Sequence, residues 1–129
     1  MVSLVLVSHS RQLAEGLADL VRQVAGDVPV AAVGGTPDGR LGTDATAIAE
    51  AINEVYSDDG VLVLMDLGSS VMAAETALEL LTPDRAANVH LCGAPLVEGA
   101  VAAGVEARVG GDLARVRAAA ESALNHPKF

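Results

Sequence analysis

Met1-Val2-Ser3-Leu4-Val5-Leu6-Val7-Ser8-His9-Ser10 runs from a β-branched apolar segment straight into a polar turn. Val2 to Val7 is apolar almost throughout, the pattern of a strand buried on both faces at the centre of a parallel sheet. Ser8-His9-Ser10 ends it. Ser10 is an N-cap for a helix over about Arg11 to Ala25, which puts Leu13, Leu17, Leu20, Val21 and Val24 on one face.

The same unit repeats outward from this start. Gly26-Asp27 closes the helix, and Val28 to Val33 reads as a second strand. A glycine-rich loop from Gly34 to Gly42 follows. Thr43 or Asp44 then caps a helix reaching about Tyr56, with Ile48, Ile52 and Val55 inward. Val61 to Met65 is the most apolar strand and is terminated by Asp66-Leu67-Gly68-Ser69-Ser70. A helix over about Val71 to Leu81 stops before Thr82-Pro83. Asn88 to Cys92 is a fourth strand, followed by helices over about Val97 to Ala107 and Leu113 to Leu124; the tail from Asn125 is expected to fray. Such alternation predicts an α/β protein of three layers, with an open parallel four-stranded sheet in the order 2-1-3-4. Residues 1–129 are read as a single domain.

Composition narrows the function. Hydrophobic residues make up 51% of the 129 residues and aromatics 2%, so the core must be built from Val, Leu, Ile and Ala. Mean hydropathy is +0.42, which excludes a disordered chain. Eight basic and seventeen acidic residues give a net charge of −9, which argues against nucleic acid or an anionic membrane as partner. Cys92 is the single cysteine, so an internal disulfide is excluded, and no His/Cys ligand cluster suggests a metal. The apolar start lacks the basic flank and cleavage site of a leader, and no run is long enough to span a bilayer; the expected location is the cytoplasm.

In an open parallel sheet of this order, chemistry sits beyond the carboxyl ends of strands one and three, where the strand order reverses. Ser8-His9-Ser10 and Asp66-Leu67-Gly68-Ser69-Ser70 end those two strands. The topology alone therefore gathers a histidine, a carboxylate and hydroxyls beside two helix N-termini, whose free N–H groups favour an anion. A phosphoryl-accepting histidine needs one ring nitrogen free and the other held by a partner that fixes the tautomer. His9 is the candidate acceptor and Asp66 the candidate partner. Ser10, Gly35, Thr43, Gly68, Ser69 and Ser70 are candidates for holding phosphoryl oxygens, through hydroxyls or backbone N–H groups.

Each residue also has a plainer reading. Taken singly, His9 is a loop histidine, and Asp66, Ser69 or Ser70 a helix cap. Their convergence on one spot favours the functional reading. His90, inside strand four, reads as structural, His126 as a solvated tail residue, Cys92 as a small hydrophobe and Tyr56 as a packing residue.

Leu6-Val7-Ser8-His9-Ser10 with Leu13-Ala14-Glu15-Gly16, Gly34-Gly35, Gly42-Thr43, Asp59-Gly60-Val61-Leu62-Val63-Leu64, Asp66-Leu67-Gly68-Ser69-Ser70 and Pro95-Leu96-Val97-Glu98-Gly99-Ala100 together carry a family resemblance. The sequence resembles the phosphotransferase subunits of dihydroxyacetone kinases, a branch of the mannose-class IIA domains of the sugar phosphotransferase system. The resemblance runs to about Leu124. It implies a phosphohistidine at His9, charged by the small carrier HPr and held by Asp66. It further implies delivery to Mg-ADP on the nucleotide-binding kinase subunit, with no cofactor on this chain itself, and a homodimer. The activity implied is that of a phosphoenolpyruvate–glycerone phosphotransferase. Asp44 follows Gly42-Thr43 where the resemblance leads one to expect Ser. Some members carry HPr-like domains behind this one, so this chain is expected to rely on separate carriers.

Three rivals compete. A small metal chelatase of tetrapyrrole synthesis would use His9 as ligand or base, but needs further ligands, with His90 the one candidate, and aromatic pocket walls. A receiver domain phosphorylated on Asp66 needs an acidic pair after strand one and a lysine near the last strand, and the only lysine here is Lys128. A non-catalytic interaction module can share the fold without the chemistry.

Overall fold

The computed structural model describes residues 1–129. β1 (Ser3–Ser8), β2 (Val30–Gly34), β3 (Val61–Met65) and β4 (Val89–Cys92) form one parallel sheet in the order β2-β1-β3-β4. The α/β architecture expected from the sequence is the one observed. Its register pairs Ser8 with Gly34 and Val7 with Met65, so the carboxyl ends of β1, β2 and β3 finish level with one another.

Alternation along the strands divides the core in two. Leu4 and Leu6 of β1 and Leu62 and Leu64 of β3 point to one face, which is covered by α1 (Arg11–Ala25), α5 (Leu96–Arg108) and α6 (Leu113–Ser122). Val5, Val7, Val61, Val63 and Met65 point to the other, covered by α2 (Ala45–Val55) and α3 (Gly68–Glu79). Every residue of β1 and β3 is buried, as a continuous apolar pattern requires. A short helix, α4 (Pro83–Ala86), joins α3 to β4, with Pro83 in its first turn, where a missing N–H does no harm.

One core expectation holds only in part, for Leu17 and Val21. The buried face of α1 is Ala14, Leu17, Ala18, Val21 and Ala25, while Leu13, Leu20 and Val24 are exposed. The small residues win because α1 lies tightly against α5. A Cβ on Gly104 would sit 3.0 Å from both Ala25 Cβ and Val21 Cγ1, so close packing selects glycine at position 104.

Element ends shift for local reasons. β2 starts after Pro29, which lacks a ladder donor, rather than at Val28. α3 starts at Gly68 rather than Val71, so Ser69 and Ser70 lie in its first turn. Asp44, not Thr43, caps α2, its carboxylate accepting from the Thr46 N–H at 3.0 Å. A 3₁₀ turn over Ala123–Asn125 ends the regular structure, and Lys128 in the tail pairs with Glu98 at 2.9 Å. No helix is long and apolar enough to cross a membrane.

Candidate functional site

His9 follows the last residue of β1, and Asp66 follows the last residue of β3. Because Val7 and Met65 are in register and the Asp66 N–H donates to the Val7 carbonyl at 3.2 Å, the two positions are fixed as neighbours by the sheet. Strand alternation sends the His9 side chain towards the α3 face, as it does Val5 and Val7.

There the imidazole meets Asp66. Nδ1 lies 2.9 Å from Asp66 Oδ1, and Nε2 is hydrogen-bonded to the Ser69 hydroxyl. The His9 side chain is 24% exposed and that of Asp66 16%, so the ring is open to a partner and the carboxylate is screened behind it. Asp66 Oδ2 accepts from the His9 N–H at 3.0 Å and the Ser8 hydroxyl at 2.8 Å. Its Oδ1 also accepts from the Ser70 hydroxyl at 2.8 Å and the Leu67 N–H at 2.7 Å.

This arrangement decides the charge of Asp66. Burial by itself raises the carboxyl pKa. The His9 N–H, the Ser70 hydroxyl, the His9 ring and the Ser8 hydroxyl outweigh it, and together they hold the group well below the usual carboxylate range. An anionic Asp66 accepts the Nδ1 proton, so the Nε2 lone pair is the one left for chemistry. Beside Nε2, α3 begins with no side-chain cap, its N-cap position being Leu67. The N–H groups of Gly68 and Ser69 have no acceptor within the helix and are available to an anion.

The predicted residues divide into groups. His9, Asp66, Gly68 and Ser69 come together at the ring. Ser70 is buried and bonded to Asp66, with Nδ1 at 3.2 Å, so it belongs to the support of the aspartate rather than to the open side of the imidazole. The Ser10 hydroxyl is occupied in capping α1, accepting from the Leu13 N–H at 3.2 Å. Gly42, next to half-buried Thr43, donates its N–H to the His9 carbonyl at 2.9 Å, which ties the glycine loop to the site. Gly35 lines a cleft on the β2 side of the site.

Sequence reading gave Ser8 and Gly34 no role of their own. Ser8 is buried and bonded to Asp66; the one signal was a hydroxyl ending an otherwise apolar strand. A Cβ on Gly34 would lie 2.5 Å from the Ser10 carbonyl oxygen, so Gly34 is the glycine that lets β2 close against the start of α1. His90 faces Arg117 and Glu121 of α6, on the opposite side of the sheet from the His9 ring, and burial lowers its pKa. It is no co-ligand for His9.

A family model described as the PTS system fructose IIA component, EIIA-man, matches residues 3–117. The chain belongs to the EIIA-man family. The Escherichia coli K12 phosphoryl donor subunit DhaM of PEP-dependent dihydroxyacetone kinase is 50% identical over 120 residues, 90% of this chain and 25% of that protein. A Listeria innocua DhaM is 44% identical over 110 residues, 84% of this chain and 88% of that protein. Within EIIA-man the chain thus groups with the dihydroxyacetone kinase phosphoryl donor subunits. It spans about a quarter of the length of the Escherichia coli relative and nearly all of the Listeria one. A crystal structure described as a protein of unknown function superposes with a TM-score of 0.83 at 37% identity, over 93% of this chain and 92% of that one. The EIIA-man assignment takes the place of the chelatase alternative, which no comparison supports.

Proposed function

We propose that this chain is the phosphohistidine relay of a PTS-dependent dihydroxyacetone kinase, accepting a phosphoryl group on His9 from phospho-HPr and passing it to ADP on the nucleotide-binding kinase subunit. The observation that carries the reading is the His9–Asp66 pair, with Nδ1 held at 2.9 Å and Nε2 turned to the surface. In the first transfer the Nε2 lone pair attacks phosphorus, and the donor's P–N bond breaks with its electron pair returning to the donor ring. Asp66, already ionised, stabilises the positive charge that then spreads over the imidazole. Ser69 releases Nε2 as the bond forms, and its hydroxyl turns to a phosphoryl oxygen beside the N–H groups of Gly68 and Ser69. The second transfer reverses these roles, with Mg²⁺ and ADP held by the acceptor.

The other partner expectations belong to the same proposal. Residues 1–129 act as one phosphocarrier unit and need no cofactor of their own. The chain works as a homodimer, for which the uncharged exposed stripe of Leu13, Leu20 and Val24 on α1 offers a surface.

The experiment incubates the protein with phosphoenolpyruvate, the upstream kinase and HPr, then maps the label by mass spectrometry under alkaline conditions. One phosphoryl group on His9 Nε2 is expected, and none on His9→Ala. Mixed with Mg-ADP alone, the labelled protein makes no ATP; adding the nucleotide-binding subunit starts ATP formation. Label retained by His9→Ala, or rapid ATP formation without the second subunit, overturns the relay reading.

A further inference from the structure

A cleft of about 330 Å³ opens next to the residues that follow His9, between the start of α1 and the glycine loop. Ser10, Arg11 and Gln12 form one wall, and Gly35, Thr36 and Arg40 lie in the other. Both walls are anchored at the site: Ser10 and Arg11 directly follow His9, and the loop is tied to the His9 carbonyl through Gly42.

Most cations outside the cleft are engaged elsewhere, Arg115 of α6 being the exception. Arg22, Arg117 and Lys128 are spent on Asp19, Glu121 and Glu98. Arg85 lies over the Tyr56 ring and donates to Asn53, and Arg108 donates to the Val24 carbonyl. Arg11 has no such partner: it stands between this cleft and a depression that it lines together with Glu15, Glu50 and Glu54, none of them within ion-pair distance. Arg40 is held in place by Asp38, whose carboxylate takes its Nε at 2.8 Å, leaving the outer guanidinium nitrogens free. The Asp38 carboxyl is kept below its usual range by the Thr36 hydroxyl and by Arg40, so that strut stays charged. In a chain of net charge −9, an unpaired arginine and a braced one share a cleft next to the residues that follow the reactive histidine.

We propose that Arg11 and Arg40 recognise the diphosphate of the acceptor nucleotide as it approaches phosphorylated His9. This rests on the relay reading. In the step concerned, a terminal oxygen of the nucleoside diphosphate attacks phosphorus and forms the new P–O bond. The P–N bond breaks, and its electron pair returns to Nε2. A phosphohistidine and a diphosphate repel each other, and a carrier this acidic makes the repulsion worse. Two guanidiniums at the cleft offset it where the diphosphate must pass. The α1 N-terminus is already capped by Ser10, so the arginine side chains carry this recognition.

The test separates the two transfers by single-turnover kinetics on the full chain. Arg11→Gln, Arg40→Gln and the double variant are each charged by phospho-HPr, then mixed with the acceptor subunit holding Mg-ADP. Arg115→Gln, the same charge change on α6, is the control. In the double variant the second transfer falls about tenfold or more while the first changes less than threefold, and the difference shrinks at high salt as screening replaces the lost guanidiniums. Arg115→Gln leaves both steps unchanged. An unaltered second transfer overturns the proposal, and so does an equal loss in both steps, since the cleft would then serve the phosphoryl group and not the diphosphate. Failure of the unsubstituted protein to take the label from phospho-HPr would instead bring down the relay reading itself.

Discussion

Ser8 Oγ donates to Asp66 Oδ2 at 2.8 Å, and the same oxygen accepts the Ser10 N–H at 3.0 Å. One buried hydroxyl thus joins the aspartate that orients the imidazole to the residue that caps α1. Movement of the α1 start relative to the end of β3 strains this link before it disturbs the ring. The support behind His9 is therefore built from its two flanking residues as well as from Asp66.

Ser8→Ala removes that link and one donor from the carboxylate. A hydrogen bond to a charged group is worth about 1.5–3 kcal/mol, and four other donors remain on Asp66, so a loss of about 1–2 kcal/mol in urea unfolding is expected. Phosphoryl transfer to His9 should slow several-fold. A variant as stable and as fast as the original protein would show that the Ser8 bond is incidental.

Asp66→Ala and Asp66→Asn should both slow phosphorylation by about 100-fold, the scale of a positioned acid–base partner. Asn is the sharper test. It keeps the size of the side chain but not the charge that favours Nε2 attack. Rapid-quench measurement with phospho-HPr reads the rate, and circular dichroism checks the fold. A folded Asn variant with normal kinetics would reduce Asp66 to a helix-start residue.

Stability should carry an acid signature from the same residue. The folded pKa of Asp66 is depressed, so its contribution is fully present above the unfolded value of about 3.9 and is lost as pH falls below it towards the folded pKa. Urea unfolding of the original protein and Asp66→Asn should show a constant gap from about pH 5 to pH 7. That gap should narrow below about pH 4. A gap independent of pH would contradict the donor arrangement around the carboxylate.

Two glycines give opposite expectations for alanine. Gly34→Ala places a Cβ 2.5 Å from the Ser10 carbonyl oxygen and 2.7 Å from Arg11 Cα, both backbone atoms. The start of α1 must shift, which should destabilise the protein by about 1–3 kcal/mol and weaken phosphorylation of His9. Gly16→Ala, in mid-helix with nothing within 4 Å, should stabilise by about 0.5–1 kcal/mol and leave transfer alone. Thermal or urea melts of the pair decide the matter.

Much of this was legible in the chain. Strand order followed from the alternation of apolar runs and helix-period runs, and that order alone brought His9 to Asp66. The roles of the serines were less legible. Ser10, Ser69 and Ser70 look equivalent as residues, yet one caps α1, one meets Nε2 and one supports Asp66. Helix phase separates them, and the start of α3 at Gly68 fixes that phase. The face of α1 was legible only in part: Leu17 and Val21 are buried as expected, but Ala14, Ala18 and Ala25 complete the buried face where a pattern weighing side-chain size favours Leu13, Leu20 and Val24.

His9 and Asp66 are 57 residues apart along the chain, and only the pairing of β1 with β3 brings them within 2.9 Å. Closing a loop of that length carries an entropic cost that neighbouring contacts cannot repay before the sheet forms. Competence to take a phosphoryl group therefore arises together with global folding rather than within any local segment. On the relay reading, a copy in which β1 and β3 have not paired would present a histidine with no carboxylate at Nδ1, and should take up no phosphoryl group.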